Sequence, residues 1–507
     1  MFGVEAPHRC CDNGTEASAG GLKLFPPSIG EEEMKRTFHR LAVAGIAALL
    51  AGISCFAQGW QSLGPADGIA KLPAGVRLTA GDRQVTVTVI SDSTVRVQVE
   101  RKGAPPAEKS WAVLPENSSS APKVSVSEQS NAVEISLASG SVRIMKNPLQ
   151  IVFLDAQGKV INQDSTRAPM AFNGASFRVT KVMPEGEEYF GLGDKTTLNL
   201  RNRAFTLWNT DAYGWQESTD PLYKSIPFFM GLNDGRAYGI FLDDTWRSSF
   251  DFGKASRDTY SFGAEGGELN YYFFFGPDPK KVLMSYADLT GKAPLPPLWS
   301  LGYQQSRWSY YPESRVLEVA RTFREKKIPA DVLYLDIDYQ DHLRPFTINR
   351  DYFPTFEKMI QDLGQEGFSV IAITDLHIAK VPGYKPYDDG LSKDEFVKNP
   401  DGSMYVGKVW PGETVFPEFT LTRSREWWGG LYKDFVGMGI RGFWNDMNEP
   451  AIFDTSTRTM PLDVVDRLDD GASVDQRSIH NVFGMLNSRA TYEGVRKLNS
   501  NERPFVL

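Results

Sequence analysis

Acidic side chains gather where apolar runs end. Asp336 and Asp338 close VLYLDIDY, Asp375 closes IAITD, and Asp446 and Glu449 follow GFW in GFWNDMNEP. Aromatic residues stand beside them: Trp308, Tyr334, Tyr339, Trp410 and Trp444. A single aspartate at a strand end has a plain structural use, since its carboxylate caps the next helix or turn. Several together suggest an acidic cleft walled by flat rings. Two carboxyl groups across such a cleft are what cleavage of a glycosidic bond requires, because its transition state carries positive charge at the anomeric carbon. Other chemistries find little support. After residue 57 the histidines are His342, His377 and His480, with no HExxH spacing. No GxSxG elbow, GxxxxGK(S/T) loop or GxGxxG turn after a strand occurs. A divalent metal on the carboxylates stays open but has no second ligand pattern behind it. No cofactor and no metal site is expected.

The elements that must place these acids change type along the chain. Gln84–Ile90 and Thr94–Glu100 alternate apolar and polar residues with period two, as half-buried antiparallel strands do. Val133–Leu137, Val142–Met145 and Ile151–Leu154 continue the pattern, and Phe228–Leu232 and Tyr238–Leu242 flank a hairpin turn at Asn233-Asp234-Gly235. A β-sandwich is expected over 65–290. Asp278-Pro279 starts a helix over Lys280–Leu289, and Pro294, Pro296 and Pro297 mark a boundary. Strands and helices then alternate: a strand at Leu301–Gln305, a helix at Ser314–Lys327, a strand at Val332–Ile337, and a helix at Thr355–Leu363 ended by Gly364. A strand at Phe368–Ile373, a helix near Ser424–Val436, a strand at Ile440–Trp444 and a last one from Pro504 follow. Repeated βα units predict a (β/α)8 barrel over 291–507, with a doubly wound sheet as runner-up. The gap between Ile373 and Ile440 predicts an insert above the strand ends.

Composition excludes some classes. With 41% hydrophobic and 23% charged residues the 507-residue chain can bury a large core, which argues against wholesale disorder. A net charge of −8 gives no reason to expect nucleic-acid binding. Residues 34–57 read as a signal peptide: Lys35, Arg36 and Arg40, then 13 apolar residues from Leu41 to Ile53, then small residues up to a cleavage position at Ala57. That run is too short to span a membrane. Export to the periplasm or the exterior is expected, with residues 1–33 a non-native upstream extension. Cys10, Cys11 and Cys55 all fall before the cleavage position, so the mature chain has no thiol chemistry.

GFWNDMNEP (Gly442–Pro450) resembles the nucleophile motif of glycoside hydrolase family 31, the α-glucosidase family. Supporting segments stand in that family's order: YFGLGDK (Tyr189–Lys195), LWNTDAYGW (Leu207–Trp215), DPLYKSIPFFMG (Asp220–Gly231), Pro296–Tyr311, Val332–Asp341, GKVWPG (Gly407–Gly412) and His480–Gly494. The resemblance implies a galactose-mutarotase-like sandwich and a barrel. It also implies a retaining, exo-acting α-glucosidase with an α-glucoside oligosaccharide as substrate. It implies Asp446 as nucleophile and Glu449 as a supporting group. Asp336 would bind the far hydroxyls of the sugar, with Ile337 packed beside it. Asp211 would reach over the pocket on a loop of the sandwich. Ile378, Trp410, Trp444 and Met447 would wall the pocket, with Trp308 near its floor.

Some positions depart from the family. Leu376 stands where Pro is usual, and Glu418 where Asp is usual. The family's general acid/base, an Asp in a Trp-Thr-Gly-Asp-Asn-like segment, follows an RPFVL-like strand, and Arg503–Leu507 ends the chain there. The expectation is therefore a C-terminally truncated chain whose barrel is cut near strand 5 and which is inactive alone. Other α-glycosidases of the family (α-xylosidase, α-glucan lyase) and a non-catalytic carbohydrate-binding protein remain alternatives.

Overall fold

The structure, a computed structural model, describes residues 59–103, 109–115 and 122–507. The signal-peptide segment and the three cysteines lie outside the described residues. Among the described residues no helix is long and apolar enough to cross a membrane.

Residues 61–275 form antiparallel sheets of eight, six and five strands among the described residues. In Arg83–Ser91, alternate residues Val85, Val87 and Val89 turn inward while their neighbours stay half-exposed, as the period-two pattern predicts. All three sheets contribute to one core: Val87 and Phe273 from the eight-stranded sheet, Phe177 and Phe262 from the six-stranded, Ile144 and Phe153 from the five-stranded. Phe153 stacks on Phe273 across that core at 3.8 Å. The helix Pro279–Thr290 follows, its first turn capped by the Asp278 carboxylate, which accepts from Lys280 N at 2.8 Å.

The second half is built on five parallel strands: β1 (Gln304–Gln305), β2 (Val332–Leu335), β3 (Ser369–Ile373), β4 (Gly442–Trp444) and β5 (Phe505–Val506). Every residue of β2 and β3 is buried, the signature of parallel strands covered on both faces. Their spatial order is their chain order, with no reversal. A doubly wound sheet reverses at a switch point, so the sequential order favours barrel topology. Helices α1 (Glu313–Glu325), α2 (Phe356–Gln365), α3 (Thr422–Leu431), α4 (Lys433–Met438) and α5 (Gln476–Leu498) pack around it. Val316, Ala320, Met359, Ile360 and Leu486 enter the same core as Leu333 and Phe443.

Several element boundaries differ from expectation. The strand expected from Leu301 is a 3-10 turn over Leu298–Leu301, with pairing only at Gln304–Gln305. β2 stops at Leu335 because the Asp336 carboxylate accepts from Ile337 N at 2.7 Å and turns the chain into a 3-10 helix over Ile337–Tyr339. Gly364 lies inside α2, and the reversal comes at Gly367, whose φ of 82° suits glycine. The single helix expected over Ser424–Val436 divides at Tyr432, whose hydroxyl contacts Thr374, Asn445 and Thr491. The insert after β3 holds a helix (Lys385–Ser392) and a small antiparallel sheet of Ile378–Ala379, Gly412–Val415 and Gly407–Val409.

Candidate active site

Strand register brings the acids together. Leu335 pairs with Ala372 and Ile373 with Trp444. Asp336 therefore follows directly on a paired position, and Asp375 and Asp446 each lie two residues beyond one, level with each other at the C-terminal edge of the sheet. The register of β3 and β4 is continued by Thr374 N donating to Trp444 O at 2.7 Å. Asn445 is pinned just before Asp446: its N donates to Leu507 O at 2.8 Å, and its Nδ2 reaches Thr374 Oγ1 and the Tyr432 hydroxyl, each at 3.1 Å. Met447 N donates back to the Asp446 carboxylate. Met447 itself has φ 59°, a left-handed conformation that costs a non-glycine residue about 1–3 kcal/mol. The turn after Asp446 also lies hard against α5. A Cβ on Gly484 would sit 2.6 Å from Asn448 O, so only glycine lets the helix approach.

Asp211, Asp336, Asp375, Asp446 and Glu449 feel one another's charge. Burial is the largest influence on Asp336, Asp375, Asp446 and Glu449 and pushes each upward, because a low-dielectric site disfavours the charged form. Asp336 is pushed up to about 6, with Asp446 and Asp338 adding to the rise. Glu449 is pushed up to about 7, with added repulsion from Asp446 and Asp211. Asp446 is raised, opposed by the Met447 N–H and reinforced by Asp211. Asp375 is raised well above the carboxylate range, with Asp446, Asp336 and Glu449 as its charged neighbours. The Tyr223 hydroxyl is raised by burial and then by Asp211, Glu449 and Asp446. Among the described residues no group of three or more His, Cys, Asp or Glu is arranged to hold a metal ion.

Asp446 and Glu449 open on a cavity of about 710 Å³, walled by Trp444 and Asn448 from the barrel and by Asn209, Tyr223 and Asp244 from the sandwich. The other expected pocket residues divide into two groups. Ile337 and Met447 are almost wholly buried, and Ile378 has no exposed surface. Ile378, expected as a wall, pairs with Val415 in the insert and belongs to the core. Trp308, expected near the pocket floor, is 70% exposed. It follows β1, an edge strand, so no further strand covers it among the described residues. Its ring meets Trp410 at 5.9 Å, and Trp410 meets Phe453 at 4.9 Å, giving an exposed aromatic rim. Sequence reasoning missed Tyr223, whose surroundings depend on a fold contact. It noticed Asp375 without giving it a role, although its distance from β3 places it level with Asp446.

Comparison with known proteins agrees with this architecture. The glycosyl hydrolases family 31 TIM-barrel domain matches residues 293–507, and the glycosyl hydrolase 31 N-terminal galactose mutarotase-like domain matches 84–251. Alpha-glucosidase 2 of Bacillus thermoamyloliquefaciens is 43% identical over 386 residues, covering 76% of this chain and 48% of that protein. An alpha-glucosidase of Saccharolobus solfataricus is 33% identical over 344 residues, covering 64% of this chain and 49% of that protein. A Flavobacterium johnsoniae GH31 dextranase complexed with isomaltotriose superposes with a TM-score of 0.81 at 31% identity, covering 88% of this chain and 55% of the dextranase chain. The chain spans about half the length of these relatives.

Proposed function

The chain belongs to glycoside hydrolase family 31, and from that premise we propose that Asp446 is the nucleophile of a retaining, exo-acting α-glucosidase reaction on the terminal α-linked glucose of oligosaccharides. A carboxylate oxygen of Asp446 gives an electron pair to the anomeric carbon. The bond from that carbon to the glycosidic oxygen breaks, and its electron pair leaves with the oxygen, which takes up a proton from water. Water then attacks the same carbon and gives up a proton to solvent, and the bond to Asp446 breaks to return the carboxylate. Two inversions restore the starting configuration.

The observation that carries this reading is that Asp446 and Glu449 line one cavity, while Asp336 and Asp211 lie close enough to exchange charge effects with Asp446. Carboxylates held in a low-dielectric wall stabilise positive charge that develops on the sugar ring far better than they would in water. Asp336, with one oxygen engaged by Ile337 N, keeps acceptor capacity for sugar hydroxyls and would reject a sugar that lacks them. Glu449 supports the turn that presents the nucleophile. The relatives named as alpha-glucosidases and the dextranase bound to isomaltotriose support a glucose-containing substrate. Export through the segment 34–57 belongs to the same proposal.

α-Glucosyl fluoride tests it, because fluoride departs without a proton and bond cleavage then reports on the nucleophile alone. The expected result is fluoride release with α-glucose formed first, followed by NMR. Asp446→Asn should slow it at least about 1,000-fold, or about 4 kcal/mol. β-Glucose formed first, or release indifferent to the substitution, would overturn the proposal.

A further inference from the structure

The segment that leads into Asp211 is held by neighbouring residues of one barrel helix, and Asn481 makes most of the hydrogen bonds. Asn481, in the second turn of α5, accepts from Asn209 N at 2.9 Å through its Oδ1. Its Nδ2 faces three sandwich carbonyls, Leu207 O at 3.3 Å, Thr245 O at 3.2 Å and Trp246 O at 3.3 Å. Two hydrogens shared among three acceptors bind two separate stretches of the sandwich to one side chain. The backbone adds to the same junction. Asn209 Nδ2 donates to Asn481 O at 3.2 Å, and Thr245 Oγ1 donates to Ser478 O at 2.5 Å. Asn209 passes the order on, since its Oδ1 accepts from Ser225 N at 2.9 Å.

This anchorage ends where Asp211 begins. Thr210 N still donates to Leu222 O at 3.1 Å, whereas Tyr213 is 92% exposed and Trp215 57%. Asp211 therefore leaves the last held residue, and the direction of that residue decides where its carboxylate points. The same helix also meets the nucleophile turn, one residue short of a helical turn further on, where Gly484 abuts Asn448. α5 thus touches both acid-bearing segments within four residues, and its rigidity sets their separation.

We propose that Asn481, which lines the cavity beside Asn209, is a positioning residue, which fixes the Asp211 loop of the sandwich against Asp446 and so governs sugar binding through that loop. This rests on the reading of Asp446 as nucleophile, and the experiment separates the two. In the full chain, Asn481→Ala removes every hydrogen bond of the Asn481 side chain and leaves those of the helix backbone. Asn481→Asp, of the same shape, keeps the acceptor and replaces the donor by an acceptor facing three carbonyls. Hydrogen exchange at the Asn209 amide should quicken at least about tenfold in Asn481→Ala, while amides of β2 and β3 keep their protection. The second readout is covalent trapping by 5-fluoro-α-D-glucosyl fluoride. Asn481→Ala and Asn481→Asp should each weaken binding of this probe about tenfold or more, with the limiting trapping rate changed less than about threefold. In an Asp211→Asn background, Asn481→Ala should add no further loss, because both act through one carboxylate. Unchanged exchange at Asn209, or losses that simply add in the double variant, would overturn the proposal. If the unaltered chain is not trapped at all, the reading of Asp446 fails. The exchange result then still decides whether Asn481 holds the loop.

Discussion

His480 lies flat against Trp208, with ring centroids 3.7 Å apart and planes within 7° of parallel. A ring from α5 is thus stacked on a ring of the sandwich, next to the asparagine that holds the Asp211 loop. Nε2 of His480 lies 2.7 Å from Asn209 O, and a carbonyl only accepts, so this nitrogen carries the proton.

The imidazole should therefore stay neutral. Burial brings its pKa down to about 3. Its ring proton signals should not move between about pH 5 and pH 8, a range in which an exposed histidine titrates. His480→Phe would keep a flat ring but leave Asn209 O without its donor. Urea unfolding should then show a loss of about 1–3 kcal/mol. A His480 that titrates near its ordinary value would contradict the buried junction.

Asp211 should tune the acid side of the reaction. Its negative charge adds to the burial that raises Asp446. Attack needs Asp446 ionised, so the rate falls as pH drops through its pKa. Asp211→Asn removes the repulsion, makes ionisation easier and should move the acidic limb of the pH profile to lower pH. Fluoride release from α-glucosyl fluoride, followed from about pH 3 to pH 8, measures the limb. An acidic limb that stays where it was would show that Asp211 does not act on the nucleophile.

Asp375 should be a source of instability that grows with pH. It is 1% exposed, and neither oxygen has a hydrogen-bond partner among the described residues. Its folded pKa is raised well above the unfolded value, mainly by burial. The folded state then holds the proton more tightly, so this group's stabilisation is complete below about pH 4 and is lost as pH rises through the folded pKa. Asp375→Asn has the same shape and no charge to bury. Its melting temperature relative to the unaltered chain should climb steadily from pH 4 upward. A gap that narrows with rising pH would contradict this.

The contact between α3 and α5 should tolerate no side chain. A Cβ on Gly494 would lie 2.2 Å from Gly429 Cα, and one on Gly429 2.7 Å from Gly494 Cα. Both obstacles are backbone, which cannot rotate away. Gly494→Ala should cost about 1–3 kcal/mol through overpacking, despite alanine's higher helix propensity. Denaturant titration checks it, and a stability gain would mean that the helices lie further apart.

The legible parts of this molecule were those written within short stretches of chain. Val85, Val87 and Val89 announce a half-buried strand by alternation, and the apolar run before Asp336 announces a covered parallel one. Strand ends therefore disclosed Asp336 and Asp446 before any contact was known. Contacts between distant segments were not legible. Asn209 and Asn481 are 272 positions apart, and nothing local marks either as the other's partner. The break between α3 and α4 was hidden for the same reason, since Tyr432 answers to Thr374, Asn445 and Thr491 rather than to helical period. Trp308 was placed near the pocket floor through the resemblance alone, and its exposure depends on which strands stand beside β1, which no local stretch of sequence records.

The most direct measurement of the central claim is the mass of the chain after incubation with 5-fluoro-α-D-glucosyl fluoride. The ring fluorine slows release of the sugar from the enzyme, so the covalent intermediate accumulates. The expected result is one fluoroglucosyl unit per chain, mapped by peptide sequencing to Asp446 and absent from Asp446→Asn. No adduct, or an adduct on Asp336, Glu449 or any other residue, would contradict Asp446 as the nucleophile.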